Sequence, residues 1–459
     1  MLGSLLPQPR VAVARNWRRW GFGIGPRLVL LLLLGLLWLL PAWWDRRALY
    51  GLLAWDVLLL GIFVLDLVLD LRRLQRARPE ASRIWTAAPA LSTPAGVRIQ
   101  LRNLGEIFYT AAQDDVPAAL RRTPPTLQLQ TDRWGEAGAG YQVEPLQRGD
   151  VHLGPLFLRC QSRWRIAECW LRADLAQTIR IYPNLGEAKR HMLYLLRSRQ
   201  IELERRLTRR RGLGREFESL REYRDGDELR DVCWTATARR AKLITRQYQV
   251  ERSQAVCLVV DAGRLLRARL GKLQKLDFSV NAALTLAHVA LYSGDRVALL
   301  AYGRRVQQQL APGRGSPHMR ALVEQLSLVH TEVAEADHVR AARVLLSMQK
   351  RRSLVVWITD LAETAMTPEV IQAALQITRR HLLLFISFSE PQIMELLARA
   401  PETPLNMFRV MAAQEMSQRR ELLLRRLREQ GAFALELPPD QVSTALVNQY
   451  LEIKDRGLL

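Results

Sequence analysis

Asp261 closes the apolar run Ala255 to Val260, AVCLVV. A short buried run ending on a carboxylate is how a central strand of an open parallel sheet reads, with the acid at the edge where ligands collect. Such an acid could hold a divalent cation or accept hydrogen bonds from neighbouring loops. SLVVWITD repeats the pattern and ends on Asp360. Other candidates are thinner. Asp114 and Asp115 are expected in a solvated turn without a nearby His or Cys to work with. Asp56 lies inside an apolar run, where it could mark an ion path; with only two apolar runs nearby, snorkelling or a polar contact between helices is the plainer expectation. His288, in the apolar stretch ALTLAHVAL, reads as a core or interface residue.

Enzyme signatures are missing from the sequence. It contains no GxxxxGK phosphate loop, no HExxH and no GxSxG elbow. The early GFGIG, Gly21 to Gly25, precedes an apolar run rather than following a strand, so it is not a dinucleotide fingerprint. Four cysteines, Cys160, Cys169, Cys233 and Cys257, show no CxxC spacing and suit a reducing compartment. No catalytic residue and no cofactor is expected.

With 67 Lys and Arg against 45 Asp and Glu, the net charge of +22 calls for anionic company: nucleic acid, an anionic lipid surface or an acidic protein. The densest basic run, Arg205 to Arg211 (RRLTRRR), ends a basic linker helix expected over 186–213. No aromatic residues interleave with it and no nucleic-acid-binding motif adjoins it, so a structural or lipid-facing role is favoured over a nucleic-acid partner.

The elements that must position these residues fall into blocks. Residues 1–80 hold a basic start and two apolar runs, 28–44 and 48–65, read as a transmembrane hairpin. Arg10, Arg15, Arg18, Arg19 and Arg27 precede it, and Arg72, Arg73, Arg76 and Arg78 follow. The positive-inside rule therefore places both termini in the cytoplasm. Residues 87–185 alternate with period two, as in VRIQLRNLG with Val97, Ile99 and Leu101 on one face, and predict an all-β sandwich. From 253 to 459 helix and strand alternate as a doubly wound α/β sheet would.

Between these blocks, residues 214–252 carry acids and bases in near alternation. Asp225 and Glu228 have capping-box spacing, and Leu229, Val232, Cys233 and Ala236 recur at helical spacing, predicting a turn, an amphipathic helix and then a strand, LITRQYQV. The order Arg221, Tyr223, Gly226, Asp227, Arg230, Trp234, Ala238, Arg239, Arg246 and Glu251 closely resembles the hallmark of the DUF58 family. That resemblance implies two N-terminal spans, a β-sandwich ending in Tyr182-Pro183 and a C-terminal von Willebrand factor A-like domain. It also implies a membrane-linked adaptor or assembly factor working with a MoxR-type AAA+ ATPase. The ten motif residues would brace the domain through internal Arg–carboxylate pairing or dock the partner.

An A-like domain normally binds Mg²⁺ through DxSxS after its first strand, a later Thr and a further Asp. Here the first element is Asp261-Ala262-Gly263-Arg264-Leu265, with Gly263 and Leu265 where the serines would stand; Thr331 and Asp360 fall at about the expected spacings. Asp261, Thr331 and Asp360 therefore read as remnants of a degenerate metal site. The two acids are expected to cap loops or pair with Arg, and Mg²⁺ is not expected to bind.

Overall fold

The structure, a computed structural model, describes residues 6–16, 21–104, 109–132, 135–161, 164–184, 216–224, 229–249, 254–361, 367–398, 400 and 403–458. The basic linker helix expected over 186–213 lies outside them. The chain divides into two compact units, Met1–Tyr182 and Pro183–Leu459.

In the first unit, β1 (Arg10–Val13), β2 (Arg15–Asn16) and β3 (Phe22–Ile24) lead into α1 (Pro26–Gly35), a 3₁₀ turn (Leu36–Trp38), α2 (Leu39–Ala42) and α3 (Ala48–Ala77). Then follow β4 (Glu80–Trp85), β5 (Ala95–Arg102), β6 (Tyr109–Asp114), β7 (Thr126–Gln130) and β8 (Ala137–Val143). The unit closes with β9 (Gly149–Leu153), β10 (Leu156–Gln161), β11 (Ala167–Ala173) and β12 (Gln177–Ile181). One sheet runs β1-β4-β5-β8; the other runs β2-β11-β10-β6-β7, with β3 also paired to β11. β9 and β12 form a separate pair. The alternation in β5 sends Val97, Ile99 and Leu101 into a core shared with Leu156, Leu158 and Leu171 of the opposite sheet.

Three expectations change here. The sandwich does not start after the helices: β1, β2 and β3, from the basic start, complete both sheets before the chain enters α1. Val11 and Val13 stay exposed on β1, so no apolar alternation announced it. Second, the apolar run 28–44 is not one long helix. Pro41 has no N–H and its ring crowds the carbonyl four residues back, at Leu37, inside the tightened 3₁₀ turn. Among the described helices only α3 is long and apolar enough to cross a membrane; Pro26–Pro41 is a shorter apolar helix. Third, α3 runs to Ala77, past the expected Leu65, because its last turns pack on the sandwich: Leu67 and Leu74 join the core, and buried Asp66 accepts a hydrogen bond from the Ala167 amide at 3.1 Å.

The apolar helices are matched to each other. A Cβ on Gly35 would meet the Trp55 ring at 2.6 Å, and one on Gly51 would meet Trp38 at 2.7 Å. Each glycine is thus the space a tryptophan of the facing helix fills, and the Trp55 indole N–H donates to the Leu31 carbonyl at 3.1 Å. Leucines along both helices remain exposed, among them Leu30, Leu33, Leu40, Leu53 and Leu60. An apolar surface of this kind needs lipid or protein to cover it.

Asp114 also departs from the expected solvated turn. It ends β6 fully buried, ion-paired to the equally buried Arg83 of β4. Its partners lie 31 and 27 residues away, at Arg83 and Tyr141, beyond any local pattern.

The second unit opens with a hairpin of β13 (Glu216–Glu222) and β14 (Ile244–Gln249), between which lie a 3₁₀ turn (Leu229–Asp231) and α4 (Trp234–Arg240). β15 (Ala255–Asp261), the small hairpin β16 (Arg269–Leu270) and β17 (Leu273–Gln274), and α5 (Lys275–Tyr292) come next. They precede β18 (Arg296–Tyr302), β19 (Val306–Gly313), α6 (Gly315–Leu328), α7 (His338–Met348) and β20 (Leu354–Ile358). Last come α8 (Thr367–Thr378), β21 (Leu382–Phe388), α9 (Pro391–Ala398), α10 (Pro404–Glu429), β22 (Phe433–Leu437) and α11 (Val442–Asp455).

The main sheet has the order β19-β18-β15-β20-β21-β22, parallel except for β19. α7, α8 and α10 cover one face, burying Cys257, Val259, Trp357 and Phe385. α5, packed with α6 and α11, belongs to the other. This is the doubly wound arrangement the alternation of elements predicts. Gly294, at φ +83°, makes the turn into β18, and Asp295 fixes it by accepting from the Gln254 amide (3.0 Å), the Tyr450 hydroxyl (2.5 Å) and Lys454 (2.7 Å). α10 starts at Pro404, where Thr403 caps it by accepting from the Asn406 amide.

Candidate functional site

The carboxyl ends of β15 and β20 bring Asp261 and Asp360 to one edge of the sheet. Asp261 follows the last apolar residue of the central strand and is almost fully buried. Its Oδ1 accepts from the Gly263 amide at 2.7 Å and its Oδ2 from the Thr359 hydroxyl at 2.6 Å. Burial pushes its carboxyl above the usual range, against the opposing pull of His338, the Thr359 hydroxyl and the Gly263 amide.

Asp360 lies between two cations. Its Oδ2 accepts from Lys275 Nζ at 2.6 Å, and its Oδ1 from Arg420 Nη2 at 2.6 Å and the Leu361 amide at 2.8 Å. Lys275 also reaches Glu390 at 3.0 Å, and Arg420 donates to the Leu361 carbonyl at 2.9 Å. Burial pushes Asp360 up, while Lys275 and Arg420 pull it back. Burial alone would raise Glu390 too, but the Lys275 ammonium holds it below its ordinary value.

Lys275 is the first residue of α5, where a positive charge meets the positive end of the helix dipole. An ammonium buried there needs carboxylates around it, and Asp360 and Glu390 supply them. The capping box of Gln274 and Asp277 fixes the helix start that aims it.

The oxygen set does not fit a divalent cation. Gly263 and Leu265 offer no side-chain oxygen, the Thr359 hydroxyl is turned to Asp261, and Lys275 already occupies Asp360. The Thr331 hydroxyl donates to the Gln274 amide oxygen at 3.5 Å. Among the described residues no group of three or more His, Cys, Asp or Glu is placed to hold a metal ion. Titrating the detergent-solubilised protein with Mg²⁺ should therefore give no binding heat by calorimetry. An isotherm that disappears in Asp261→Ala would overturn this reading.

The hydroxyl that donates to Asp261 belongs to Thr359, next to Asp360 in WITD, a residue the sequence reading did not single out. Lys275 was missed as well, since nothing local marks a lysine as buried.

The ten motif residues are spread over the hairpin and its insert. Gly226, Asp227 and Glu251 lie outside the described residues, as does the expected Asp225–Glu228 capping box. Arg221 pairs across the hairpin with Thr245, and Arg246 with Leu220. The Arg221 guanidinium donates to the Glu222 carbonyl at 3.2 Å, and the Tyr223 amide to Leu243 at 2.9 Å. Arg230 falls in the 3₁₀ turn. The expected amphipathic helix is shorter and differently placed. Val232 and Cys233 are buried because a bridge from Val232 to Thr245 and a bond from the Cys233 amide to Ile244 hold them on β14. α4 itself, with Trp234, Ala238 and Arg239, buries none of its residues.

Trp234 is 65% exposed at the start of α4, and Leu220, Leu229 and Leu243 of the hairpin and its insert are exposed as well. Tryptophan is among the side chains enriched as anchors of protein interfaces.

Residues 219–401 match the family described as "Protein of unknown function DUF58". The uncharacterized protein Rv1480 of Mycobacterium tuberculosis (strain ATCC 25618 / H37Rv) is 26% identical over 187 residues, covering 40% of this chain and 58% of the relative. The uncharacterized protein Mb1516 of Mycobacterium bovis (strain ATCC BAA-935 / AF2122/97) gives the same values. The match thus spans under two thirds of the relatives' length. Among solved structures, the SpRpn10 VWA domain is 12% identical, covers 43% of this chain and 95% of its own, and has a TM-score of 0.28. The conserved hypothetical protein BatB from Bacteroides thetaiotaomicron is 13% identical, covers 44% and 100%, and has a TM-score of 0.30.

Proposed function

We propose that this chain, whose residues 219–401 match the DUF58 family, is a non-enzymatic, membrane-anchored adaptor or assembly factor that presents an A-like domain to a MoxR-type AAA+ ATPase. The observation that carries the reading is the closed ledger of charge at the sheet edge. Asp261 and Asp360 are taken up by Thr359, Gly263, Lys275 and Arg420 and are not left for substrate or metal. A fold whose ligand edge is satisfied internally can still work through its surface.

Anchoring rests on α3. Its apolar part, Ala48 to Leu65, is about 27 Å long at 1.5 Å per residue, close to a bilayer core of about 30 Å. The antiparallel pairing of β1 with β4 supports a two-span arrangement with both flanks in the cytoplasm of a bacterial inner membrane. The strand that precedes the helices and the strand that follows them lie side by side, so the helical excursion starts and ends on one face of the membrane. The arginines on both flanks favour the cytoplasmic face.

The motif hairpin supplies the docking element, with the exposed Trp234 as its anchor and Arg230 as a further motif residue to test. Partner recovery from solubilised membranes tests this. The wild-type protein should co-purify with an AAA+ ATPase, and Trp234→Ala or Arg230→Ala should reduce recovery about tenfold or more, the loss of one strong anchor. Equal recovery in all three, or recovery of nucleic acid in place of the ATPase, would remove the proposal.

A further inference from the structure

Beside the sheet edge, the loop after β18 and the start of α7 enclose a cleft of about 580 Å³ lined by Arg304, Arg305, Glu332, Asp337 and Arg340. Its frame is fixed by backbone bonds. Glu332 accepts from the Arg304 amide at 2.8 Å and from Gln307 at 2.9 Å, and the Asp337 amide donates to the Gly303 carbonyl at 3.0 Å. Asp337 caps α7 by accepting from the Arg340 amide at 2.8 Å. A Cβ on Gly303 would meet the Glu332 carboxylate at 2.5 Å, so only glycine lets that acid seat under the loop.

The two acids are thus spent on the scaffold, and the three arginines are not. Arg304, Arg305 and Arg340 are exposed, and their guanidiniums have no hydrogen-bond or ion-pair partner among the described residues. Two project from one wall and one from the other, at the positive end of a helix.

We propose that this cleft docks an acidic peptide segment of a partner protein, with Arg304 and Arg305 gripping one carboxylate and Arg340 another. The planar guanidinium fork matches a carboxylate in two parallel bonds. The volume lies in the range of about 300–1,000 Å³ that pockets use to enclose a few side chains. Duplex DNA suits it poorly, because a cleft of about 580 Å³ seats a few side chains and not a duplex. The proposal deepens the adaptor reading by naming the chemistry that is docked, and it stands on the cleft whatever the partner's identity.

The test uses the full-length protein in detergent and a fluorescent octaglutamate peptide, read by anisotropy. Because the whole chain is basic, the informative quantity is the change on substitution. Arg304→Ala with Arg340→Ala should weaken binding at least tenfold. The Lys pair should restore part of it, and Arg419→Ala, on a different helix, should leave it unchanged. Since the altered side chains are exposed, the melting curve should not move. Equal affinity in wild type and the Ala pair would overturn the proposal. So would a tenfold loss confined to duplex DNA or phosphatidylserine vesicles, run as parallel arms. Octaglutamate binding without ATPase co-purification would remove the adaptor partner and leave the cleft; the reverse would remove the cleft alone.

Discussion

Asp114→Ala is expected to destabilise the β-sandwich by about 3–5 kcal/mol, the cost of leaving a buried charge without its partner. Arg83 and Asp114 are both 0% exposed. Arg83 Nε donates to Asp114 Oδ2 at 3.0 Å, and Nη2 contacts Asp114 Oδ1. The remaining donors go to the carbonyls of Leu175 and Gly154, each at 3.0 Å. Tyr141 adds its hydroxyl to Asp114 at 2.5 Å; burial and the adjacent carboxylate push that phenol well up, so it stays a donor. Every polar atom of the pair is therefore used, and truncating Asp114 strands a guanidinium that water cannot reach. Against a typical domain stability of about 5–15 kcal/mol this is a large fraction. Urea unfolding followed by tryptophan fluorescence would read it, since Trp85 is buried in the same core. Tyr141→Phe should cost less, about 1–2 kcal/mol, because the ion pair survives. A charge-free replacement, Arg83→Met with Asp114→Leu and Tyr141→Phe, should recover most of the loss. A cost below about 1 kcal/mol for Asp114→Ala would mean that the pair is not sealed from solvent.

The second large effect is expected at the sheet edge. Lys275→Met removes the ammonium that holds Asp360 and Glu390 together and should destabilise the α/β unit by about 3–5 kcal/mol at neutral pH. Arg420 remains on Asp360, but Glu390 then faces that carboxylate without its cation. The pH dependence has a definite sign. Because Lys275 depresses Glu390, its contribution is present above the ordinary value of 4.5 and is lost as pH falls through the lower folded value. The variant lacks that contribution throughout, and protonation relieves its repulsion. The gap between wild type and Lys275→Met should therefore be widest near pH 7 and close toward pH 4. Thermal melts across that range would measure it; a gap that widens on acidification would contradict the arrangement.

These two networks show where sequence reading stops. The alternation of VRIQLRNLG placed β5 and its inward face, and AVCLVV and SLVVWITD marked two strands of the sheet, which the structure pairs side by side. In each case the information is local, set by period and by chain neighbours. Arg83, Asp114 and Tyr141 meet across two sheets, and Lys275, Asp360 and Arg420 meet over 145 positions of chain. No local pattern carries such a pairing. β1 and β2 were hidden for a different reason: they hold arginines and exposed valines at a sheet margin, so neither alternation nor burial marked them. In the motif, spacing that suggested one helical face came from a hairpin and a short helix folded together.

The metal remnant reads in the same way. That Gly263 and Leu265 offer no side-chain oxygen is legible in the sequence; that Lys275 brings a charge of its own to Asp360 appears only in three dimensions.

The central claim, that the motif face grips an AAA+ ATPase at the membrane, is tested most directly by placing a photo-cross-linking residue at position 234 and irradiating intact cells. The account predicts a covalent adduct between the full-length protein and an AAA+ ATPase from position 234, and none from the equally exposed Tyr292 on the same unit. No ATPase adduct at 234, or equal capture from 234 and 292, would contradict it.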